Sequence, residues 1–354
     1  ALNKLVNLSD DNDYPVINSY HESRRIDNLE TQFIYQFVAE GKDVAEQGMA
    51  DLDISLPYTL TFNNSLSQVE IIDYEKNQNI LYKVKEVSVM NDDKNKRVII
   101  EKITNGESAE IRLVTYEGES VTLALNYEII NNRSRILQPG KDLPRLFRDF
   151  PLVGSQNFDY PCVLNSRKFF PTEERDGLLL KDTENIKVTV NRAEIETASN
   201  LIPHFIATGL NRPEEVEKLF YLAASAIPGD IRENDVKKWY EDAIQKPLRS
   251  NLLDKKVFYN LDSILIPIKD GRIPEIEGSS EKDEEFWQIC SYWMSDRIPY
   301  QEDHKVWKEI INHQYKNWNA ELKYTLENLL AEIRAKGNVE SLNNQLNGIT
   351  AIDW

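Results

Sequence analysis

The sequence predicts an α+β protein: a mixed β-sheet domain with covering helices, followed by a mainly helical domain with a small β insert. Three observations carry this. Between residues 68 and 130 apolar and charged side chains alternate with the period of two that a half-buried strand requires. Turn signals, Asn105-Gly106 foremost and Glu117-Gly118 after it, cut that stretch into hairpin lengths. From about residue 183 onward the apolar period drifts to that of a helix. Strands grouped first and helices grouped after them mark the α+β class. The expected divisions are 1–30, a polar leader or severed connection; 31–182, the sheet domain; and 183–354, the helical domain, with its β insert at 256–270.

Element by element, residues 31–38 (TQFIYQFV) alternate as a strand. Residues 42–62 carry a loose helical stripe of Val44, Met49, Leu52, Ile54, Leu56 and Leu60, and Pro57 must kink that helix or end a first segment of it. Val69, Ile71 and Ile72 make 68–73 a strand. In 81–89 the alternation places Tyr82 and Val84 on one register and Val87 and Val89 on the other, so a bulge is expected near Lys85. Strands at 96–103, 109–116 and 120–130 continue the pattern, broken at Asp92-Asp93 and at the two glycine turns. They predict antiparallel hairpins whose charged positions form a solvated face rather than a binding groove.

The second half reads as helices at 193–205, with Pro203 near its end, and at 212–226, opening at Pro213 with the stripe Val216, Leu219, Phe220 and Ala223. Asn234 is placed to cap a helix at 235–244. Two strands are expected within 256–270, a loop at 271–282, then helices at 283–293, 302–315, 320–335 and 339–346. Trp287, Trp293, Trp307 and Trp318 read as core anchors of this bundle, with a peptide groove as the lesser alternative.

Composition limits the function classes. With 59 acidic against 42 basic residues the net charge is -17, which argues against a general nucleic-acid surface. Cys162 and Cys290 lie far apart in apolar contexts and predict buried free thiols, hence a reducing, cytoplasmic compartment. His21, His204, His304 and His313 show no metal-ligand spacing, and no metal site is expected. No apolar run approaches the ~20 residues that span a bilayer, so no membrane is expected as a partner. Carboxylates at Asp10-Asp11 and 281–285 come without a nucleophile or ligand pattern, which sets a hydrolase reading low.

The richest stretch is 150–180, FPLVGSQNFDYPCVLNSRKFFPTEERDGLLL. A buried strand at 160–164 leads into Arg167, Lys168, Glu173, Glu174, Arg175 and Asp176, punctuated by Pro171 and Gly177. Proline and glycine at these places predict a loop of fixed shape, the kind of element that carries function on a scaffold. Its charges equally suit a structural loop whose ions pair with one another.

Phe150-Pro151-Leu152, Asn165-Ser166 and Pro171-Thr172-Glu173-Glu174-Arg175-Asp176-Gly177, in that order, resemble a stretch of large bacterial ATP-binding proteins of the sacsin-like or heat-shock-ninety-like, GHKL class. Leu56-Pro57-Tyr58 with Thr61-Phe62-Asn63, Trp239-Tyr240 with Gln245-Lys246-Pro247-Leu248-Arg249, and Leu322-Lys323-Tyr324-Thr325-Leu326-Glu327-Asn328-Leu329-Leu330 agree with the same family in the same order. The class reads its nucleotide with an acidic-Asn helix, an Asp-x-Gly-x-Gly turn and a glycine-rich lid, and none is present here. Asp270-Gly271 lacks the second glycine.

The resemblance therefore implies an internal region of a larger protein, cut after its nucleotide-binding domain, and the start at Ala1 suits a processed chain as well as a cut one. It implies a transducer-like sheet domain and a helical segment of a chaperone-like machine. ATP and magnesium would bind the parent and no cofactor this region. The partner would be the nucleotide-binding domain of the same protein, with a protein client besides. Relatives send a basic side chain from this region to the γ-phosphate, and Arg175 is the first candidate, with Arg167 and Lys168 as alternates. A salt bridge from Arg175 to Asp176 or Glu173 is the competing expectation. A non-enzymatic interaction scaffold is the alternative function, and exposed helical tryptophan would favour it.

Overall fold

The computed structural model describes residues 41–354 apart from 75, 91–93, 209–215, 230, 277, 278, 280, 281, 352 and 353. The strand expected at 31–38, the leader at 1–30 and the Asp92-Asp93 break lie outside the described residues. The chain divides into two compact units, residues 1–54 and 55–354. The division falls inside helix α1 (Lys42–Phe62), just ahead of Pro57. Pro57 does not end the helix. Thr59 and Thr61 hydroxyls donate to the carbonyls of Ser55 and Pro57, and from Ser55 on the side chains are largely buried.

The second unit holds an α+β fold. Strands β1 (Gln68–Asp73), β2 (Gln78–Val89), β3 (Asn95–Thr104), β4 (Glu107–Glu117) and β5 (Thr122–Ile130) form an antiparallel meander. The turn between β3 and β4 has Asn105 at φ 50° and Gly106 at φ 93°, the paired left-handed residues of a tight hairpin. The register steps from Val84↔Ile100 to Glu86↔Ile99, so Lys85 is the extra residue of a bulge, where the sequence places it. Lys83, Glu101 and Glu110 lie in register across β2, β3 and β4. Lys83–Glu101 at 2.8 Å and Lys85–Glu110 at 2.5 Å make that face an ion-pair ladder, the predicted wet face. The opposite face carries Tyr82, Ile100 and Leu113, all fully buried.

Short strands extend the sheet. They are β6 (Arg133–Ile136), β7 (Leu146–Arg148), β8 (Phe150–Pro151) and β9 (Val163–Asn165). The order is β1-β2-β3-β4-β5-β9-β7-β8, with β6 also on β5 and β7–β9 parallel, so the sheet is mixed. The strand expected at 160–164 is thus shorter and shifted, although all five of those residues are buried.

Helix α2 (Ile186–Thr208) starts seven residues before the expected 193 and runs through Pro203. No α-helix occupies the described part of 212–226. Strand β10 (Val216–Glu217) pairs parallel with β6, and 219–223 is a 3₁₀ turn. The reason is Lys218, held at φ 61° with its ammonium on Asp303 and on Glu302 at 2.9 Å, which breaks any helix through that point.

Helix α3 (Asn234–Trp239) begins one residue earlier than expected, and Asn234 does not cap it. It continues through a π-helical stretch, Tyr240–Gln245, into α4 (Lys246–Leu252). Pro247 has no N–H to give the Ala243 carbonyl, and the wider turns before it accommodate that loss. Strands β11 (Lys256–Tyr259) and β12 (Leu265–Pro267) form the predicted small insert. Strand β13 (Ile273–Pro274), helix α5 (Asp283–Trp293) and helix α6 (Gln301–Asn312) follow. Strand β14 (Lys323–Tyr324) lies where a helix from 320 was expected. Thr325 forms a capping box with Asn328, which delays helix α7 (Leu326–Lys336). Helix α8 (Val339–Gln345) completes the set.

One apolar cluster runs from Val114 of β4 to Leu322 and joins sheet, α2, α4 and Trp307. A second gathers Phe286, Trp287, Trp293 and Tyr324. The four predicted tryptophan anchors are buried. Cys162 and Cys290 are free and buried, and burial raises both thiol pKa values.

His304 of α6 is buried with Nε2 2.6 Å from the Pro274 carbonyl oxygen, and faces Asp283, Lys308 and Glu275. Burial lowers its pKa below the ordinary 6.5, against the carbonyl bond. The unfolded chain then binds the proton more readily, so this contribution is complete above the ordinary value and is lost as pH falls through it. Urea unfolding from about pH 7.5 to 5.5 should show stability falling, and His304→Gln should flatten that fall. An identical pH slope in the variant would show that His304 plays no part.

Candidate functional site

The segment at 150–180 is held by residues of α2. The Phe170 N–H donates to Asn191 Oδ1 at 2.7 Å, and Asn191 Nδ2 donates to the carbonyls of Phe170 at 2.8 Å and Leu179 at 2.9 Å. Asn191 is fully buried, and it closes both strands at the base of the loop 171–178. One turn on, Glu194 is also buried. It accepts from Ser166 Oγ at 2.8 Å and Ser120 Oγ at 2.9 Å, with Lys168 Nζ 3.8 Å away. Arg192 bonds the Leu180 carbonyl. Below these, Ile195, Ala198 and Ile202 continue the same buried stripe.

The loop closes on itself. Pro171 and Leu178 form a bridge, the Thr172 N–H donates to the Gly177 carbonyl at 3.1 Å, and the Arg175 N–H to the Thr172 carbonyl at 3.1 Å. The Thr172 hydroxyl donates to Asp176 Oδ1 at 2.5 Å. Gly154, at φ 114°, packs against the Asp176 backbone. A Cβ there would sit 2.6 Å from Asp176 Cβ, so only glycine fits.

The three candidate cations have different surroundings. Arg167 is an exposed partner of Asp149, with Nε 2.9 and 3.1 Å from the two carboxylate oxygens. Asp149 is itself fixed by its N–H to Asn165 Oδ1 at 2.8 Å, which gives the Asn165-Ser166 pair a structural task. Lys168 points toward the buried Glu194. Arg175 stands at the loop tip at φ 59°, exposed, and its guanidinium has no partner among the described residues. The competing expectation, a salt bridge to Asp176 or Glu173, is not what the loop forms. Asp176 is engaged by Thr172 instead, and neither Glu173 nor Glu174 orients the guanidinium through an ion pair.

Behind the loop lies a cavity of about 360 Å³, lined by Phe158, Thr172, Asp176, Leu178, Ile231 and Val236 among others. The Lys181–Glu233 ion pair belongs to its lining and holds the Glu233 carboxyl below its ordinary pKa. Among the described residues no group of three His, Cys, Asp or Glu is placed to hold a metal. The arrangement presents a cation at the tip of a loop of fixed shape.

Compared with protein-family models, curated proteins and solved structures, the chain has no significant match in any of the three.

Asn191, Glu194 and Gly154 are the residues that sequence reasoning missed as determinants. Starting the helix at 193 left Asn191 outside it. The available signal was the helical register, since 191, 195, 198 and 202 share one stripe and a polar residue on an apolar stripe demands a buried partner.

Asn191→Ala leaves the Phe170 N–H and the Leu179 carbonyl without their bonds and should cost about 2–4 kcal/mol, read from urea unfolding. Arg175→Ala removes no contact and should leave the unfolding midpoint unchanged. A midpoint loss for Arg175→Ala as large as that for Asn191→Ala would contradict the arrangement.

Proposed function

We propose that this chain is the transducer and helical segment of a larger, chaperone-like ATP-binding protein of the GHKL class, with Arg175 as the cation that reaches the γ-phosphate. The supporting observation is an unpartnered guanidinium at the tip of a loop clamped from two sides, by Asn191 and by Gly154. A guanidinium held without an internal carboxylate is a preorganised donor fork for a phosphate oxygen that another domain brings. Arg167 and Lys168 are weaker candidates, because Asp149 and Glu194 already neutralise them. The order of the motifs at 150–177, 239–249 and 322–330 supports the same reading.

Nucleotide and magnesium belong, on this reading, to the preceding domain of the parent, and that domain is the partner. This chain supplies position and charge. The interaction-scaffold alternative drew on exposed helical tryptophan, and Trp293, Trp307 and Trp318 are buried.

In the full-length protein Arg175→Ala should slow ATP turnover at least about tenfold, the scale of one lost transition-state contact, with Arg175→Lys recovering part of it. Unchanged turnover per folded molecule would sink the phosphate role. Calorimetry of this chain alone with ATP and magnesium should give no tight, saturable isotherm, and a tight one would overturn the division of labour.

A further inference from the structure

A second cavity, of about 130 Å³, lies away from the loop. Its lining includes Arg145 and Ser225, both buried, and Asp159, Glu309 and His313, all exposed. Arg145 spends three of its five donors on backbone carbonyls. Nη1 bonds those of Gly140 and Leu143, and Nη2 that of Pro139. Its Nε–H and one Nη2–H are left over, and Nε has no partner among the described residues.

The Ser225 hydroxyl is likewise buried without a partner. Its carbonyl accepts from Arg249 Nη2 at 3.0 Å and from Gln245 Nε2 at 2.9 Å. Arg249 is fully buried over Trp318, its guanidinium carbon 4.8 Å from the ring centre. Burial pushes its pKa down to about 10, so it keeps its charge at neutral pH.

Arg145 thus shares the cavity with Ser225, whose carbonyl Arg249 holds, and neither guanidinium forms an ion pair with a carboxylate of the described residues. Buried cations are ordinarily paired, and buried hydroxyls ordinarily bonded. A cavity beside both kinds of unspent donor supplies the missing partner if an anion occupies it. Its volume equals roughly four waters, room for one compact oxyanion.

We propose that this cavity is a binding site for a compact oxyanion, a phosphate or a carboxylate, held by Arg145 and the Ser225 hydroxyl within the field of Arg249. The exposed Glu309 at the rim selects against longer polyanions, which would bring charge against charge. The site is separate from the loop of Arg175 and does not depend on its role.

The test is titration calorimetry of the full chain with inorganic phosphate and, separately, acetate. At least one should bind saturably, one per chain, at millimolar or tighter affinity, and the one that binds names the ligand class. Tripolyphosphate should bind no tighter than phosphate. Ser225→Ala should weaken binding about tenfold, the scale of one charge-assisted hydrogen bond, while the ligand-free melting temperature stays level or rises. Glu309→Gln should tighten binding. If neither probe saturates by about 20 mM, or if Ser225→Ala binds as the parent chain does, the cavity is not an oxyanion site.

Discussion

The contact on which the 150–180 segment depends is the seating of Asn191 and Glu194 against it. Both are buried polar groups on a helix whose buried face is mainly apolar. A buried amide or carboxylate is tolerable only with its bonds made, and here each bond is to the segment or to the β4–β5 turn at Ser120. Burying the helix and ordering the loop are therefore one event. The apolar residues below, Ile195, Ala198 and Ile202, fix the helix in the large core, and the core in turn fixes the loop. A left-handed Arg175 at the tip is unfavourable by itself and persists because the base of the loop is determined from both sides.

Charge is distributed to the same end. Most basic side chains around the sheet and loop meet a carboxylate, as Lys83, Lys85, Arg167 and Lys218 do. In a chain of net charge -17 a cation without a partner stands out. Arg175 is exposed and free, whereas Arg145 and Arg249 are buried and held by carbonyls. The first can meet a charge carried on another domain, whereas Arg145 can be compensated from the cavity that it lines. The two proposals rest on these two different situations.

The hairpins were legible because their information is local. Asn105-Gly106, the slip at Lys85 and the alternation of 96–116 each act within a few residues, and the ladder forms as the pattern requires. Helix α5 and the β11–β12 pair were legible for the same reason. The residues at 216–223 were not. Their apolar stripe is that of a helix, but Lys218 is held left-handed by Glu302 and Asp303, some eighty residues away. Of the site, the fixed loop and its candidate cations could be read from Pro171, Gly177 and the charges between them. That Arg175 is free while Arg167 is paired depends on Asp149 and Thr172 geometry that no local pattern encodes. The clamp at Asn191 is a long-range pairing of the same kind.

The claim that the loop is fixed with its arginine unengaged is tested most directly by native-state hydrogen exchange across residues 166–180. The amides of Phe170, Thr172 and Leu179 donate to Asn191, Gly177 and Phe170, so they should exchange as slowly as the neighbouring core, and Arg175→Ala should not change them. Exchange of those three amides at the rate of an unprotected surface chain would contradict the account.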